Sequence, residues 1–468
     1  MLGSAFWLTF ATLLGLCLGF ARELLLVTSW GAGQQSDAFL IALFLPEALR
    51  MSLAGGLLSA AALPLFLQRQ SRQQMQWLSA MLPSLFGLAL ALSTAIYVAA
   101  PWLVKLLGPG LTDTATAQAA SNLQVLVWCM PGLMLHAVLT IPLHAREQFF
   151  LAGLGSLLFN LPPVIYLAVV GPNSNPTHLA WSCLLGSLLM PLVLLPAVWT
   201  QGWRPWQLRA PGNELRELAQ RIGPLLASNA ASQGLTLLER LAASLLGEGA
   251  VTWVNLARKL INLPMIALMS LNQVLLSMMS RRQGSQRLDS LKRGIESAIL
   301  LTLPAGVGLV AAAPAFVTLL LPEQGIGSPL PNLLAWFALP LVFGASNALL
   351  ARYAYADGDT RLPLRCELTG SAVNAGLLLV LPLAIGLSGI PLASTAGVIC
   401  TAALLIHRLK LAHLVHWPRL CLLSAGLLTV AALLILPITN IWLQLALATA
   451  MGALTLGTLA MWLRPWRQ

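Results

Sequence analysis

Charged side chains are scarce in this chain. Aspartate, glutamate, lysine and arginine make up 9% of its 468 residues, and 58% of the residues are hydrophobic. A soluble protein carries about 25% charged residues, so this composition excludes an ordinary soluble domain. The apolar runs are long and continuous, whereas a membrane β-barrel would alternate polar and apolar residues. We therefore predict an all-α polytopic membrane protein.

Motifs for metal, nucleotide and nucleophile chemistry are also missing from the sequence. The six cysteines show no metal-ligand spacing, and no H-x-x-x-H pair accompanies a carboxylate. Neither a Walker motif nor a G-x-S-x-G elbow is present. The loops predicted on the outer face are short, which disfavours a membrane glycosyltransferase or polymerase. We predict no enzyme activity, no metal and no other cofactor.

Apolar segments predict about fourteen spans, each near the roughly 20 residues that a helix needs to cross the hydrocarbon. The predicted spans lie near residues 4–27, 36–67, 78–104, 119–143, 150–171, 178–200, 222–246, 250–280, 294–321, 330–356, 364–386, 389–407, 417–437 and 440–463. The stretch 201–221 is too charged to span, and we predict an interfacial helix or linker there. This gives an N-terminal lobe at 1–200, a C-terminal lobe at 222–407 and a final pair of spans within 408–468.

Lysine and arginine residues collect in alternate loops. Most of the 26 lie on one side of the predicted membrane, and the opposite loops hold only Lys105. The positive-inside rule places the first set, with both termini, in the cytoplasm. The net charge of +11 then reflects the membrane surface, and we predict no nucleic-acid partner. The oligomeric state stays open.

Ionisable residues inside predicted spans are concentrated in the first two spans of each half. Such groups are costly in a membrane and usually face a bundle interior or a watery cavity. The first half supplies Arg22, Glu23, Asp37, Glu47 and Arg50, and the second half supplies Glu239, Arg240, Arg258 and Lys259. A twofold internal repeat would produce this placement, with the substrate site at the repeat interface.

Several of these charges also have an ordinary structural interpretation. Arg22 could snorkel from the end of its helix, and Asp37 could cap the second helix together with Ser36. Glu47 and Asp37 could neutralise the arginines, and Glu239 could pair locally with Arg240. The excess of positive charge favours an anionic partner, and the arginine fork suits a diphosphate. Any anionic solute would meet the same requirement.

Three stretches resemble the MviN/MurJ lipid II flippases of the multidrug/oligosaccharidyl-lipid/polysaccharide exporter superfamily. They are GFARELLLVTSWGAGQQSDAFLIALFLPEALR from residue 19, LLERLAASLLGEGAVTWVNLARKLINLP from residue 237 and ARYAYADGDTRLPLR from residue 351. The resemblance covers the whole chain. It implies fourteen helices in two pseudo-symmetric lobes around a central cationic cavity, in a bacterial inner membrane.

The resemblance also implies the function. A polyprenyl-diphosphate-linked glycan would move from the cytoplasmic to the periplasmic leaflet by alternating access, with its lipid tail against the last two helices. The substrate would be lipid II or an exopolysaccharide repeat unit. Transport would be driven by Na⁺, H⁺, the membrane potential or substrate consumption. The alternative within the superfamily is a multidrug or organic-ion antiporter, whose acid-rich cavity the basic excess disfavours.

The family's site residues fall on several of the charges already singled out. The substrate-binding set is Arg22, Glu23, Asp37, Arg50, Arg258 and Lys259, and the coupling-ion set is Glu239, Asn374 and Thr395. Because Arg258 and Lys259 are about 100° apart on a helix, only one can point straight at a cavity, and we favour Lys259. Glu47 stands where the family has asparagine, and Gly55 where it has glutamate. These departures favour a paralogue for a different lipid-linked glycan, with a divergent lipid II flippase left open.

Overall fold

The computed structural model describes residues 2–54, 57–204, 212–262, 285–325, 327–356, 359, 361–413, 417–435 and 440–463. In the first half its helices are α1 (Leu2–Trp30), α2 (Gln34–Ala54), α3 (Leu57–Leu67), α4 (Ser71–Leu107), α5 (Asp113–Leu126), α6 (Cys129–Ala145), α7 (Phe149–Gly153), α8 (Gly155–Val170), α9 (Pro176–Thr200) and α10 (Glu214–Ser244). Helix α11 is described over 250–262. Then follow α12 (Ser285–Leu320), α13 (Leu330–Ala356), α14 (Arg361–Leu378), α15 (Leu381–Ile385), α16 (Gly389–Arg408), α17 (Trp417–Ile435) and α18 (Ile441–Leu463).

The helices coincide with the predicted spans. Among the described residues, nine helices are long and apolar enough to cross a membrane, and the bent pair formed by α2 and α3 would make a tenth. Helix is present at each of the fourteen predicted positions, although the span predicted at 250–280 is described only to residue 262. The prediction of an all-α polytopic membrane protein is confirmed for the described chain.

The chain forms two compact units, at Met1–Thr252 and Trp253–Gln468. The predicted lobe boundaries stay predictions. The predicted linker and the span after it share the single helix α10, and Arg69 Nη2 pairs with Glu217 Oε2 near its start at 2.7 Å. Residues 205–211 of that linker, and the predicted helix break at Gly55 and Gly56, lie outside the described residues.

In the first unit, small residues allow α1 and α8 to approach closely. Gly15 and Gly19 lie one helical turn apart on α1 and face α8. A Cβ on Gly15 would lie 2.6 Å from Ser156 Cβ, whereas a Cβ on Gly19 would lie 3.4 Å from Asn160 Nδ2. Small residues one turn apart are common where membrane helices cross closely. This crossing places Asn160 of α8 within hydrogen-bond distance of Arg22 on α1.

The second unit is built on α12, which packs against α13 and α18. Its buried core runs from Leu291 and Ile295 on α12 to Leu349 on α13. Helices α14 and α16 cross through Gly370 and Gly397, where a Cβ on either would lie within 3 Å of the other glycine's carbonyl oxygen. The close crossing brings Asn374 of α14 onto the surface of α16.

Candidate anion-binding site

Arg22 is completely buried in the first unit, although it carries a full charge. Its Nη1 donates to Asn160 Oδ1 at 2.9 Å, and its Nη2 donates to Glu23 Oε1 at 2.7 Å. Asn160 is itself fixed, because its Nδ2 donates to the Ser156 carbonyl at 2.8 Å. A buried guanidinium is tolerated only when it is paired and hydrogen-bonded, and these contacts meet that need.

Arg50 lies on α2 and is held from two directions. Its Nη2 donates to Glu47 Oε1 at 2.8 Å, and its Nη1 donates to Ser156 Oγ at 2.9 Å. The guanidinium also lies over the Phe159 ring, 5.2 Å from its centroid. Arg50 and Arg22 are thus both anchored on one stretch of α8, through Ser156 and Asn160.

Glu47 joins the two arginines. Its Oε1 accepts from Arg50, and its Oε2 lies 3.4 Å from Arg22 Nη2. We call Arg22, Glu23, Glu47 and Arg50 the arginine cluster. Two guanidinium and two carboxylate groups make it formally neutral. The Nε atoms of both arginines have no hydrogen-bond partner among the described residues, so each guanidinium retains a donor. The fork of arginine recognises anions with several oxygens in two-point contacts, and anion binding by this cluster stays a prediction.

Asp37 lies on α2, but its carboxylate accepts hydrogen bonds from the start of α11. Its Oδ2 accepts from the Gly249 amide at 2.8 Å, and its Oδ1 accepts from the Thr252 amide at 2.8 Å and the Thr252 hydroxyl at 2.6 Å. These donors surround the start of α11, where a helix leaves amide groups unpaired and favours negative charge. The sequence suggested a cap for α2, but the carboxylate caps α11. A role of Asp37 in substrate binding stays a prediction.

Arg240 reaches from α10 to α2. Its Nη1 donates to the Leu40 carbonyl at 2.6 Å, and its guanidinium lies 4.8 Å from the centroid of the Phe44 ring. The sequence suggested only a local pair with Glu239. The observed contacts make Arg240 a link between two helices of the first unit.

Arg258 and Lys259 belong to the second unit and are both half-buried. The Arg258 guanidinium lies over the buried ring of Phe337 on α13, 5.0 Å from its centroid. The preference for Lys259 as the anion contact of the pair stays a prediction.

The residues predicted to hold a coupling ion are divided between the units. Glu239 is buried in the first unit, and Asn374 and Thr395 are buried in the second. Thr395 Oγ1 donates to the Pro391 carbonyl at 2.7 Å, and Asn374 Oδ1 has no hydrogen-bond partner among the described residues. An ion site shared by these three residues stays a prediction.

Asn160 and Ser156 were not singled out from the sequence. An asparagine in the middle of an apolar span is costly unless it is hydrogen-bonded, so Asn160 was a detectable signal. The pair of glycines on α1 was a second one. Neither feature of the sequence indicates that Arg22 and Arg50 are the hydrogen-bond partners of Asn160 and Ser156.

Comparisons with known proteins identify the family of this chain. The family model described as lipid II flippase MurJ matches residues 26–460. The chain belongs to the MurJ family. The probable lipid II flippase MurJ of Thermotoga maritima is 27% identical over 402 residues, which cover 84% of this chain and 82% of that protein. Family membership confirms the prediction of a flippase for a lipid-linked precursor, not an enzyme, in a multi-pass inner-membrane protein.

Two solved structures share the fold. The lipid II flippase MurJ in an inward closed conformation superposes with a TM-score of 0.83 at 19% identity, covering 99% of both chains. An inward-facing multidrug resistance MATE transporter of the MOP superfamily superposes with a TM-score of 0.70 at 14% identity, covering 85% of this chain and 94% of that one. At these identities the likeness shows the fold alone. The match to the MurJ family model favours a flippase over the alternative of a multidrug antiporter.

Proposed function

We propose that this chain carries lipid II from the cytoplasmic to the periplasmic leaflet by alternating access, with the diphosphate bound by Arg22 and Arg50. The observation that supports this most strongly is the arginine cluster, in which two buried guanidinium groups share one carboxylate. A diphosphate supplies more acceptor oxygens than a carboxylate and can contact both forks at once. Glu23 balances Arg22 and holds it in place.

The finer parts of the proposal extend beyond the cluster. Both termini are cytoplasmic, and the last two helices carry the lipid tail. Transport is coupled to Na⁺, to H⁺ or to the membrane potential. The distribution of lysine and arginine among the loops supports the orientation.

Complementation of a bacterial strain depleted of its essential lipid II flippase tests the substrate. The wild-type chain and the Arg50→Gln variant are expressed from the same promoter, and their membrane levels are compared by immunoblot. Arg69→Gln is the matched control, because Arg69 also pairs with a glutamate but lies outside the cluster. Rescue by the wild-type chain and by Arg69→Gln, but not by Arg50→Gln, supports the proposal. Failure of the wild-type chain at normal membrane levels would overturn lipid II and favour another lipid-linked glycan.

A further inference from the structure

Glu47 occupies the position that an anionic ligand of Arg22 and Arg50 would need. Its Oε2 lies 3.4 Å from Arg22 Nη2, and its Oε1 lies 2.8 Å from Arg50 Nη2. Asn160 and Ser156 hold the same two guanidinium groups from the side of α8. The shared carboxylate therefore neutralises the arginines where a diphosphate would otherwise do so.

We infer that Glu47 is a tethered competitor of the substrate, a carboxylate that pairs with Arg22 and Arg50 in the empty protein and is displaced when a diphosphate binds. The inference rests on the proposed function and adds to it a residue that sets affinity. It assigns Glu47 a role in specificity, not in catalysis.

Glu47 is the member of the arginine cluster best placed to move. Its side chain is 14% exposed, whereas those of Arg22, Glu23 and Arg50 are 1%, 3% and 6% exposed. Pro46 lies directly before it inside α2 and has no N–H for the helical hydrogen bond. A proline-weakened turn lets the Glu47 backbone shift at lower cost than a regular helix would.

A tethered carboxylate makes binding selective. Any incoming anion must replace the contacts of Glu47 to both arginines, so a weakly binding monovalent anion is excluded and a diphosphate is accepted. When the diphosphate leaves, Glu47 pairs with the arginines again, and no uncompensated buried charge remains. Binding is thereby weakened to a level that permits release on the far side.

The test is binding of inorganic pyrophosphate to the purified full-length protein, measured by isothermal titration calorimetry. The variant is Glu47→Gln, which removes the charge and keeps the shape of the side chain. It should bind pyrophosphate at least about tenfold more tightly than the wild type, because a negative charge beside the ligand is removed. Glu217→Gln is the matched control, since Glu217 also pairs with an arginine but is exposed and outside the cluster. It should bind as the wild type does.

Equal or weaker binding by a folded Glu47→Gln protein would overturn the inference. If that variant does not fold, Glu47→Asp replaces it: the charge is kept, but the shorter side chain cannot reach both arginines. Binding several-fold tighter than the wild type is then expected, and unchanged binding refutes the idea.

The Arg50→Gln variant separates this inference from the proposed function. If the wild type binds and Arg50→Gln does not, the diphosphate site stands, and the Glu47 variants alone decide the inference. If neither the wild type nor Glu47→Gln binds pyrophosphate, the diphosphate site and the inference both fail.

Discussion

The burial of Arg22 depends on side chains that are distant in the sequence. Asn160 is 138 positions away, and it presents a fixed carbonyl oxygen to Arg22 Nη1. Hydrogen bonds to charged groups contribute more than neutral ones, and a donor left unpaired in the interior is costly. Asn160 is therefore expected to stabilise the folded protein as well as to orient the guanidinium.

Replacing Asn160 by leucine tests this contribution. The Asn160→Leu change keeps the volume but removes the acceptor, so the free energy of unfolding should fall by about 1–3 kcal/mol. The measurement is the thermal unfolding midpoint of the purified protein in detergent.

Ser84→Ala is the control for that measurement, since the Ser84 hydroxyl donates to the Ala80 carbonyl of its own helix. It should change the midpoint little. An equal effect of the two substitutions would show that the Asn160 contact to Arg22 carries no special weight.

At the scale of helices, Asp37 ties the start of α11 to α2. Its carboxylate accepts from two backbone amides and one hydroxyl at the start of α11. An asparagine at this position keeps one acceptor oxygen but loses the charge that favours a helix N-terminus. The start of α11 should then open more often.

The Asp37→Asn variant is expected to lose about 1 kcal/mol of local stability. Hydrogen–deuterium exchange should accelerate about fivefold at the amides of Gly249 and Thr252. Asp113→Asn is the control, because Asp113 lies in the first turn of α5 and is exposed. Unchanged exchange at 249 and 252 in Asp37→Asn would contradict the capping role.

At the crossing of α1 and α8, alanine substitutions at Gly15 and Gly19 should have different effects on stability. In Gly15→Ala the new Cβ would lie 2.6 Å from Ser156 Cβ, so α8 must move and about 1–3 kcal/mol of stability should be lost. In Gly19→Ala the nearest atom is 3.4 Å away, which is an ordinary contact, and stability should be unchanged or slightly higher. Thermal unfolding of the two variants side by side checks this. Equal loss in both would contradict the crossing.

Much of the fold can be predicted from the sequence, because a continuous apolar run or a charge inside such a run is recognisable within a short segment. They predicted the helices and marked Arg22, Glu23 and Arg50 as unusual. The partners were not accessible, since they depend on which helices meet. Asp37 binds an amide 212 positions away, and a pattern of charges cannot indicate that contact. The sequence predicts a neutralising charge at Glu47, but only the fold shows that its carboxylate lies between both arginines.

At the level of the complete protein, a membrane fold surrounds the neutral, buried arginine cluster. Family membership establishes the class of transporter. Under the proposed function, the arginine cluster holds the lipid-linked diphosphate away from hydrocarbon. Transport should therefore depend on Arg50 more strongly than on any arginine that forms an ion pair at the surface.

The most direct test is lipid II movement in proteoliposomes that contain only the purified chain. Headgroup exposure on the far leaflet is followed over time for the wild type, Arg50→Gln and Arg69→Gln, reconstituted at equal density. The wild type and Arg69→Gln should transport lipid II, and Arg50→Gln should lose at least about tenfold in rate. Transport by Arg50→Gln at the wild-type rate would contradict the claim that the arginine cluster binds the substrate.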